Sequence, residues 1–474
     1  MPALKSPYKK IFERARKFVV GLTRNLCEMI QATRYETLGD ECVLRVKQAI
    51  QDGVAVALAG CAEEPVTIAA AHAQSLGGAP QASVWGAGFK ASVVQAAQIN
   101  AMATHVLDFE PMWSPPTHSV SPTVPVAFAL AEWKGADGRG IISAVAKGLE
   151  IQGRLQYAGN QYIPEDLKFH PPGVAGALGS AIVASEMLGL DLNAMQRALG
   201  MAASRAGSLL ANVGSMTKCT HCGNAAAAGL DSALLAQRGF TANPDVLEAH
   251  KGLIATFFPD GFDEARLLGW GKPYRVVDPG LAIKLFPSQF GTHFSITAGL
   301  DIHRQIGKGA KIKAVRIVSP LMKYTDRPQP ATGLDGKFSL QYTGGAAILD
   351  GKVGIDTFTD ARRFSADMVE LLGKITLTQD ASIPGDFHKM HVAIEADLED
   401  GRTVKAICRG PQGAWGVPLD PAAHREKLLD CFSRALPAAK VGELVALFER
   451  LETLDTAGVA QLVALIASAR PEKK

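Results

Sequence analysis

The sequence predicts a mainly α protein, a large all-helical domain joined to a smaller α+β domain, and three observations predict it. From about residue 40 to 260, Ala, Gly, Leu, Val and Met recur at helical spacing with little strand-like alternation. After about residue 270, period-two alternation enters; from 421 onward, helical spacing returns. With 474 residues, 47% of them hydrophobic and 20% charged, the chain can bury a sizeable core and exceeds one ordinary domain. The expected division gives residues 1–268 and 412–474 to the helical domain and 269–411 to the α+β domain.

Residues 91–107, ASVVQAAQINAMATHVL, place Val94, Ala97, Ala101 and Leu107 near one stripe and read as a helix. Residues 191–212, DLNAMQRALGMAASRAGSLLAN, read as another, opening on an aspartate able to cap its first turn. A further helix should run from about 217 to Gln237 and stop at Gly239. NPDVLEAHKG, 243–252, offers Asn as N-cap, Pro at the first helical position and Gly past the end. So much Ala and Gly implies helices in close contact.

In the second domain, Val392, Ile394, Ala396 and Leu398 alternate with Ala393, Glu395, Asp397 and Glu399. Asp400-Gly401 then supplies a turn, and Val404 and Ala406 alternate with Thr403 and Lys405, which makes 390–407 a hairpin with one buried face. KIKAVRIVS, 311–319, is a further strand, while 291–307 and 361–375 read as helices. In the C-terminal region, Leu444, Leu447, Phe448 and Leu451 share one helical face, and Val459, Leu462, Val463 and Ile466 another. These helices are expected to pack back on the first domain.

The 49 basic and 46 acidic residues leave a net charge of +3, and no basic block is interleaved with aromatics, so a nucleic-acid partner is not expected. No apolar run reaches bilayer length and the N-terminus lacks a secretory pattern, so no membrane partner is expected either. Seven scattered cysteines fit a reducing compartment. The expected location is cytoplasmic. The start of the chain, with Lys5, Lys9, Lys10, Arg14, Arg16 and Lys17, reads as a basic first helix, a mitochondrial presequence being the alternative.

The stretch SMTKCTHCGNAAAAGL, 215–230, raises metal and redox chemistry. Zinc would need four ligands, and Cys219, His221 and Cys222 have no second pair to complete the set. A thioredoxin-type pair belongs where a strand opens a helix, whereas the surroundings here are Ala-rich. The sulfurs therefore read as small buried apolar groups. Lys218 is more suggestive, because a cation beside the unpaired N–H groups of a helix start binds carboxylate or phosphate. A lone lysine is ordinarily just solvated. This one has company: Asp108 and His118 in HVLDFEPMWSPPTH, 105–118; His170 in KFHPPG, 168–173; and Lys284 and His293 in AIKLFPSQFGTH, 282–293. Taken singly, a His before Pro-Pro is a turn residue and His105 on an apolar face is a core group.

Together the motifs H-x-L-D-F followed by T-H, F-H-P-P, M-T-K-x-x-H-x-G-N-A-A with its Gly-Phe-Thr-Ala-Asn-Pro tail, I-K-x-F-P and K-Y-x-x-R-P resemble the MmgE/PrpD family. That family includes 2-methylcitrate dehydratase, cis-aconitate decarboxylase and iminodisuccinate epimerase. The resemblance runs from about residue 40 to the C-terminus. It implies a helical domain built from both ends of the chain, an active site in the cleft between the domains, and a homodimer. Carried over by position, the family's active-site residues fall on Asp108, His118, His170, Lys218, Lys284 and Tyr324. Met112 stands where a Thr is expected, Gln289 where a His is expected, and Ser114 where decarboxylases often carry His. These departures lie among residues expected to touch substrate and so bear on which acid is taken.

The resemblance implies a small di- or tricarboxylate substrate. Dehydration, epimerisation and decarboxylation of such acids all need negative charge stabilised at carbon beside a carboxylate, and the first two also need a base. His170 and Lys218 are expected to be the proton-transfer pair, in either order, with Asp108 orienting His118 or anchoring a cation and Tyr324 donating to a departing oxygen. His118, Lys284, Met112 and Gln289 are expected to bind substrate. No cysteine trio is spaced for an iron–sulfur cluster, so neither metal nor cofactor is expected. The expected function is a cofactor-independent lyase, first a dehydratase of the 2-methylcitrate or citrate type. A cis-aconitate-type decarboxylase or an epimerase is the alternative, and a non-catalytic carboxylate binder is the reading from another class.

Overall fold

The computed structural model describes residues 21–163 and 166–471. The basic first helix expected around Lys5 to Lys17 lies outside the described residues. The protein is mainly α, with a small mixed sheet.

The helical part contains Leu22–Ala32, Asp40–Gly60, Glu64–Leu76, Val93–Val106, Val120–Lys134, Gly138–Gly159, Pro171–Met187, Leu192–Ser204 and Thr217–Gln237. A short hairpin of β1 (Ala82–Ser83) and β2 (Lys90–Ala91) lies among them. Capping follows the sequence: the Ser92 hydroxyl accepts from Gln95 N–H, and the Asp191 carboxylate accepts from Ala194 N–H at 2.7 Å. Val120–Lys134 and Pro171–Met187 are buried along most of their lengths, which explains why they are apolar all round. Pro171–Met187 and Thr217–Gln237 pack closely at the centre of this part. A Cβ at Gly229 would come within 2.5 Å of the Ala177 carbonyl, so this crossing requires glycine.

Three expected elements end differently. The 191–212 helix stops at Ser204, because the following loop pairs elsewhere: Gly207 N–H donates to Gly173 O, and the Ser208 carbonyl accepts from His170 N–H. Tertiary hydrogen bonding overrides the apolar spacing there. Residues 243–252 form turns, with the Asn243 side chain accepting from Asp245 N–H, and the helix begins only at Leu253–Phe257. Residues 361–375 divide into Asp360–Arg363 and Ala366–Leu372 before the chain becomes a strand.

That strand completes a four-stranded sheet of order β4-β3-β5-β6, with β3 Ile312–Ser319, β4 Ile375–Gln379, β5 Val392–Leu398 and β6 Thr403–Cys408. β3 pairs parallel with β4 and antiparallel with β5, and β5–β6 is the expected hairpin. Val315, Ile317, Val392, Ile394 and Ala396 face Thr292–Ile306 and Leu340–Asp350, where Phe294, Ala298 and Ala346 meet them. On the other face, Arg316 pairs with Asp397 at 2.6 Å. The alternation thus divides core from solvent as the period-two pattern requires.

The C-terminal helices Pro421–Ser433, Ala438–Glu449 and Thr456–Ala467 return to the helical part and share its core, Leu428, Phe432, Leu444, Leu462 and Ile466 included. Inside this seam, Lys427 Nζ donates to the fully buried Asp52 carboxylate at 2.8 Å and to the Phe109 carbonyl at 2.9 Å, while His424 lies 3.0 Å from the same carboxylate. All seven cysteines are buried and unbridged, and burial pushes Cys42 and Cys431 up to about 12, as inert apolar fillers should be. Among the described residues, no single helix is long and apolar enough to cross a membrane.

Removing Lys427 as Lys427→Ala leaves Asp52 buried without its ammonium. The expected cost is about 3–5 kcal/mol, read as a lower urea midpoint at unchanged slope; a variant as stable as the parent contradicts this role.

Candidate active site between the helical part and the sheet domain

The site grows from the C-terminus of Val93–Val106. There the chain turns on Asp108, a non-glycine residue in the left-handed region at φ 52°, with its N–H bonded to His105 O. This conformation is uncommon for a side-chain-bearing residue, although aspartate tolerates it better than most. The turn delivers the Asp108 carboxylate to two lysines from distant segments. Lys218, in the first turn of Thr217–Gln237, donates at 2.8 Å, and Lys284 hydrogen-bonds the other carboxylate oxygen. The loops carrying Asp108 and Lys284 are stitched by a two-way backbone bridge, Met112 N–H to Ala282 O and Ala282 N–H to Met112 O.

Asp108, Met112, His118, His170, Lys218, Lys284, Gln289 and Tyr324 all line one cavity of about 360 Å³. The structure therefore brings together the eight residues expected to be catalytic or to bind substrate, whereas Ser114, named with them, is outside the lining. Gln289 Nε2 donates to the Tyr324 hydroxyl at 2.8 Å. Pro172, Phe290, Phe338 and Phe387 supply apolar wall. His293 stays outside the lining, buried between Phe286 and Phe290.

Several participants escaped the sequence reading. Glu110 is fully buried, with Oε1 2.5 Å from His105 Nδ1, 3.1 Å from His118 Nδ1, and accepting from the Ser121 hydroxyl at 2.7 Å. Its position two residues after Asp108 in the quoted motif was the available signal. Arg327, the arginine of K-Y-x-x-R-P, lines the cavity, pairs with Asp335 and lies over the Phe338 ring. Lys337 is buried with Nζ on the Leu107 carbonyl at 2.9 Å, and nothing local in the sequence marks it. His221 meets His170, Nδ1 to Nδ1, at 3.0 Å. His105, His118, His170 and His221 thereby form a cluster with neighbouring ring centroids 4.7 to 6.1 Å apart.

Burial and charge set the protonation states. Burial pushes Asp108 up, but Lys218 and Lys284 outweigh it and hold the carboxyl well below the usual range. Burial likewise opposes ionisation of Glu110, and His105 and His118 outweigh it. Lys218 loses by burial and gains more from Asp108, so it is held protonated. In Lys284 burial prevails and the pKa falls, and burial brings Lys337 down to about 8. Burial, reinforced by Lys218, lowers His105 to about 4, His170 well below its ordinary value, and His221 also. The cavity thus combines fixed ammonium charge with neutral imidazole.

Among the described residues, two donor groups have metal-like spacing, Asp108 with Glu110 and His118, and His105 with Glu110 and Cys222. Asp108 already carries two ammonium groups, which would repel a dication at its own ligand. In the second group, burial and the Glu110 charge raise the Cys222 thiol well above its ordinary value, against the thiolate a metal needs.

A helical body, a small sheet domain and a lysine–histidine cavity between them define a class of acid–base site built for anions. Residues 24–265 match the MmgE/PrpD N-terminal domain and residues 286–453 the MmgE/PrpD C-terminal domain, and the chain belongs to this family. Relatives include the cis-aconitate decarboxylase of Mus musculus, 29% identical over 93% of this chain and 92% of that protein. A cis-aconitate decarboxylase of Aspergillus terreus is 31% identical over 86% of this chain and 89% of its own. The 2-methylcitrate dehydratase of Cupriavidus necator is 25% identical over 71% of this chain and 75% of its own.

The buried neutral imidazoles fix the sign of the pH dependence. Between about pH 6.5 and 4 the unfolded chain binds protons that folded His105, His170, His221 and His293 refuse, so stability should fall as pH falls through that window. Asp108 and Glu110, with depressed folded values, add their loss only below about pH 4. Melting temperatures recorded from pH 8 to 4 check this, and a flat profile between 7 and 5 contradicts it.

Proposed function

We propose that the chain is a lyase that needs neither metal nor cofactor and acts on a small tricarboxylic acid, as a dehydratase of the 2-methylcitrate or citrate type. The observation that carries this reading is the pair of lysines on Asp108, opening onto a cavity shared with neutral His170. Substrate carboxylates add charge-assisted hydrogen bonds to Lys218 and Lys284, and this fixed positive charge stabilises the negative charge that grows beside a carboxylate as the C–H bond breaks. His170 Nε2 takes that proton, a role suited to an imidazole kept unprotonated by burial. Lys218, held protonated, or Tyr324 gives a proton to the hydroxyl, which leaves as water while the carbon–carbon double bond forms. Asp108 spaces and orients the two cations. Met112 and Gln289 shape the wall that selects the acid, and His118 contacts it from the Glu110 side. The working form in this reading is a cytoplasmic homodimer.

Decarboxylation is the second reading, favoured by the extended similarity to cis-aconitate decarboxylases. The same cavity would stabilise the charge left on carbon as carbon dioxide departs. The test is an assay with 2-methylcitrate, citrate and cis-aconitate, each with and without chelator. Hydration or dehydration that survives chelation is expected. Release of carbon dioxide would favour the second reading, loss of activity on chelation would overturn the metal-free claim, and binding without turnover would mark a carboxylate binder.

Lys218→Met should lower kcat/KM by about 100-fold or more, because a preorganised cation is lost from the site of charge development; a change within a few-fold contradicts its role. Cys219→Ser and Cys222→Ser should lower the melting temperature while leaving kcat within a few-fold, and an equal collapse of activity would revive the thiol reading.

A further inference from the structure

His221, the central histidine of the Cys-Thr-His-Cys motif, has no part in the chemistry described so far. It occupies the first turns of Thr217–Gln237, at the third position beyond Lys218, with Nδ1 3.0 Å from His170 Nδ1. His170 lines the substrate cavity; His221 does not. Instead it lines a separate cleft of about 270 Å³ behind it, together with Arg205, Ser208, Thr217, Thr220 and Asn224. Arg205, Thr217 and Asn224 are exposed, so this cleft opens to solvent. The two histidines bridge the wall between the two spaces. Their contact depends on the backbone around them. His170 N–H is tied to Ser208 O, and a Cβ at Gly173 would stand 2.0 Å from Gly207 O, so only glycine lets the 207–208 loop close on the start of Pro171–Met187.

We propose that His221 is a proton relay, carrying the proton that His170 receives in the cavity out to the rear cleft. This inference rests on His170 being the base of the proposed reaction. His170 holds its ring proton on Nδ1 and donates it to His221 Nδ1, which leaves His170 Nε2 as a lone pair for the substrate. When Nε2 takes the carbon-bound proton, the Nδ1 proton passes across the 3.0 Å hydrogen bond to His221 Nδ1, and the His221 Nε2 proton leaves to water in the cleft. One proton enters and one leaves, and each ring ends neutral. Both rings then carry the other tautomer, and a ring flip or proton return restores them before the next turnover.

A physical need for such a path follows from the surroundings. Lys218, His105 and His118 crowd His170, so an imidazolium there is unfavourable, and a bound acid fills the cavity through which the proton would otherwise leave. The rear cleft provides an exit that substrate does not block. His221 acts through His170 and so is a positioning and relay residue, with no contact to substrate.

The test uses the full chain turning over 2-methylcitrate or cis-aconitate. His221→Ala should lower kcat by about 10- to 100-fold with KM nearly unchanged, and millimolar imidazole should restore much of the rate by entering the cleft. Pyrazole, similar in size but hardly basic, should not. His221→Gln, which keeps bulk and polarity but cannot pass a proton, should show the same loss at an unchanged melting temperature. Wild-type rates in both variants, or rescue by pyrazole as good as by imidazole, would overturn the relay. His170→Ala separates the two levels of the argument. If it remains active, the base assignment falls and the relay with it; if it is inactive while His221→Gln is normal, only the relay falls. Absence of wild-type turnover removes both.

Discussion

Everything in the site depends on how four consecutive residues, Leu107 to Glu110, are held. The Leu107 carbonyl accepts from Lys337, the Asp108 carboxylate binds Lys218 and Lys284, the Phe109 carbonyl accepts from Lys427, and Glu110 bonds His105 and Ser121. The four lysines come from different parts of the chain, from the central helix to the C-terminal seam. A left-handed turn at Asp108 is sustained because its surroundings over-determine it. The charges also explain one another. Two ammonium groups facing one cavity would repel, and the buried carboxylate between them lets both be present where a polyanion must bind.

Asp108 secures the charge on Lys218, and burial keeps His170 neutral, so an ammonium and an unprotonated imidazole face the same cavity. Glu110 lies 3.1 Å behind His118 Nδ1, away from the cavity lining that His118 shares. The apolar residues of the cavity wall lower the effective dielectric and strengthen each of these interactions.

The helical body, the 390–407 hairpin and the C-terminal return were legible because their periodicities arise from burial on one face, which the sequence records directly. Asp108, His170, Lys218 and Lys284 were legible as a group only through the order of their motifs, since no local spacing reveals convergence of segments up to 176 residues apart. β4 was hidden because Ile375–Gln379 is only five residues long and exposes alternate residues at a sheet edge. The false helix at 243–252 had good caps, but the Asn243 side chain spent its hydrogen bond on a local turn. Lys337 and Lys427 act on backbone carbonyls far away in sequence, and such pairings leave no pattern to read.

The central claim is that a polycarboxylate is held by the two ammonium groups that Asp108 spaces. A crystal structure of the protein soaked with a tricarboxylate tests it most directly. The account predicts carboxylate oxygens within hydrogen-bond distance of Lys218 and Lys284, with a carbon-bound hydrogen facing His170 Nε2. An acid bound elsewhere, or held in the cavity with both lysines still turned away from it, would contradict the account.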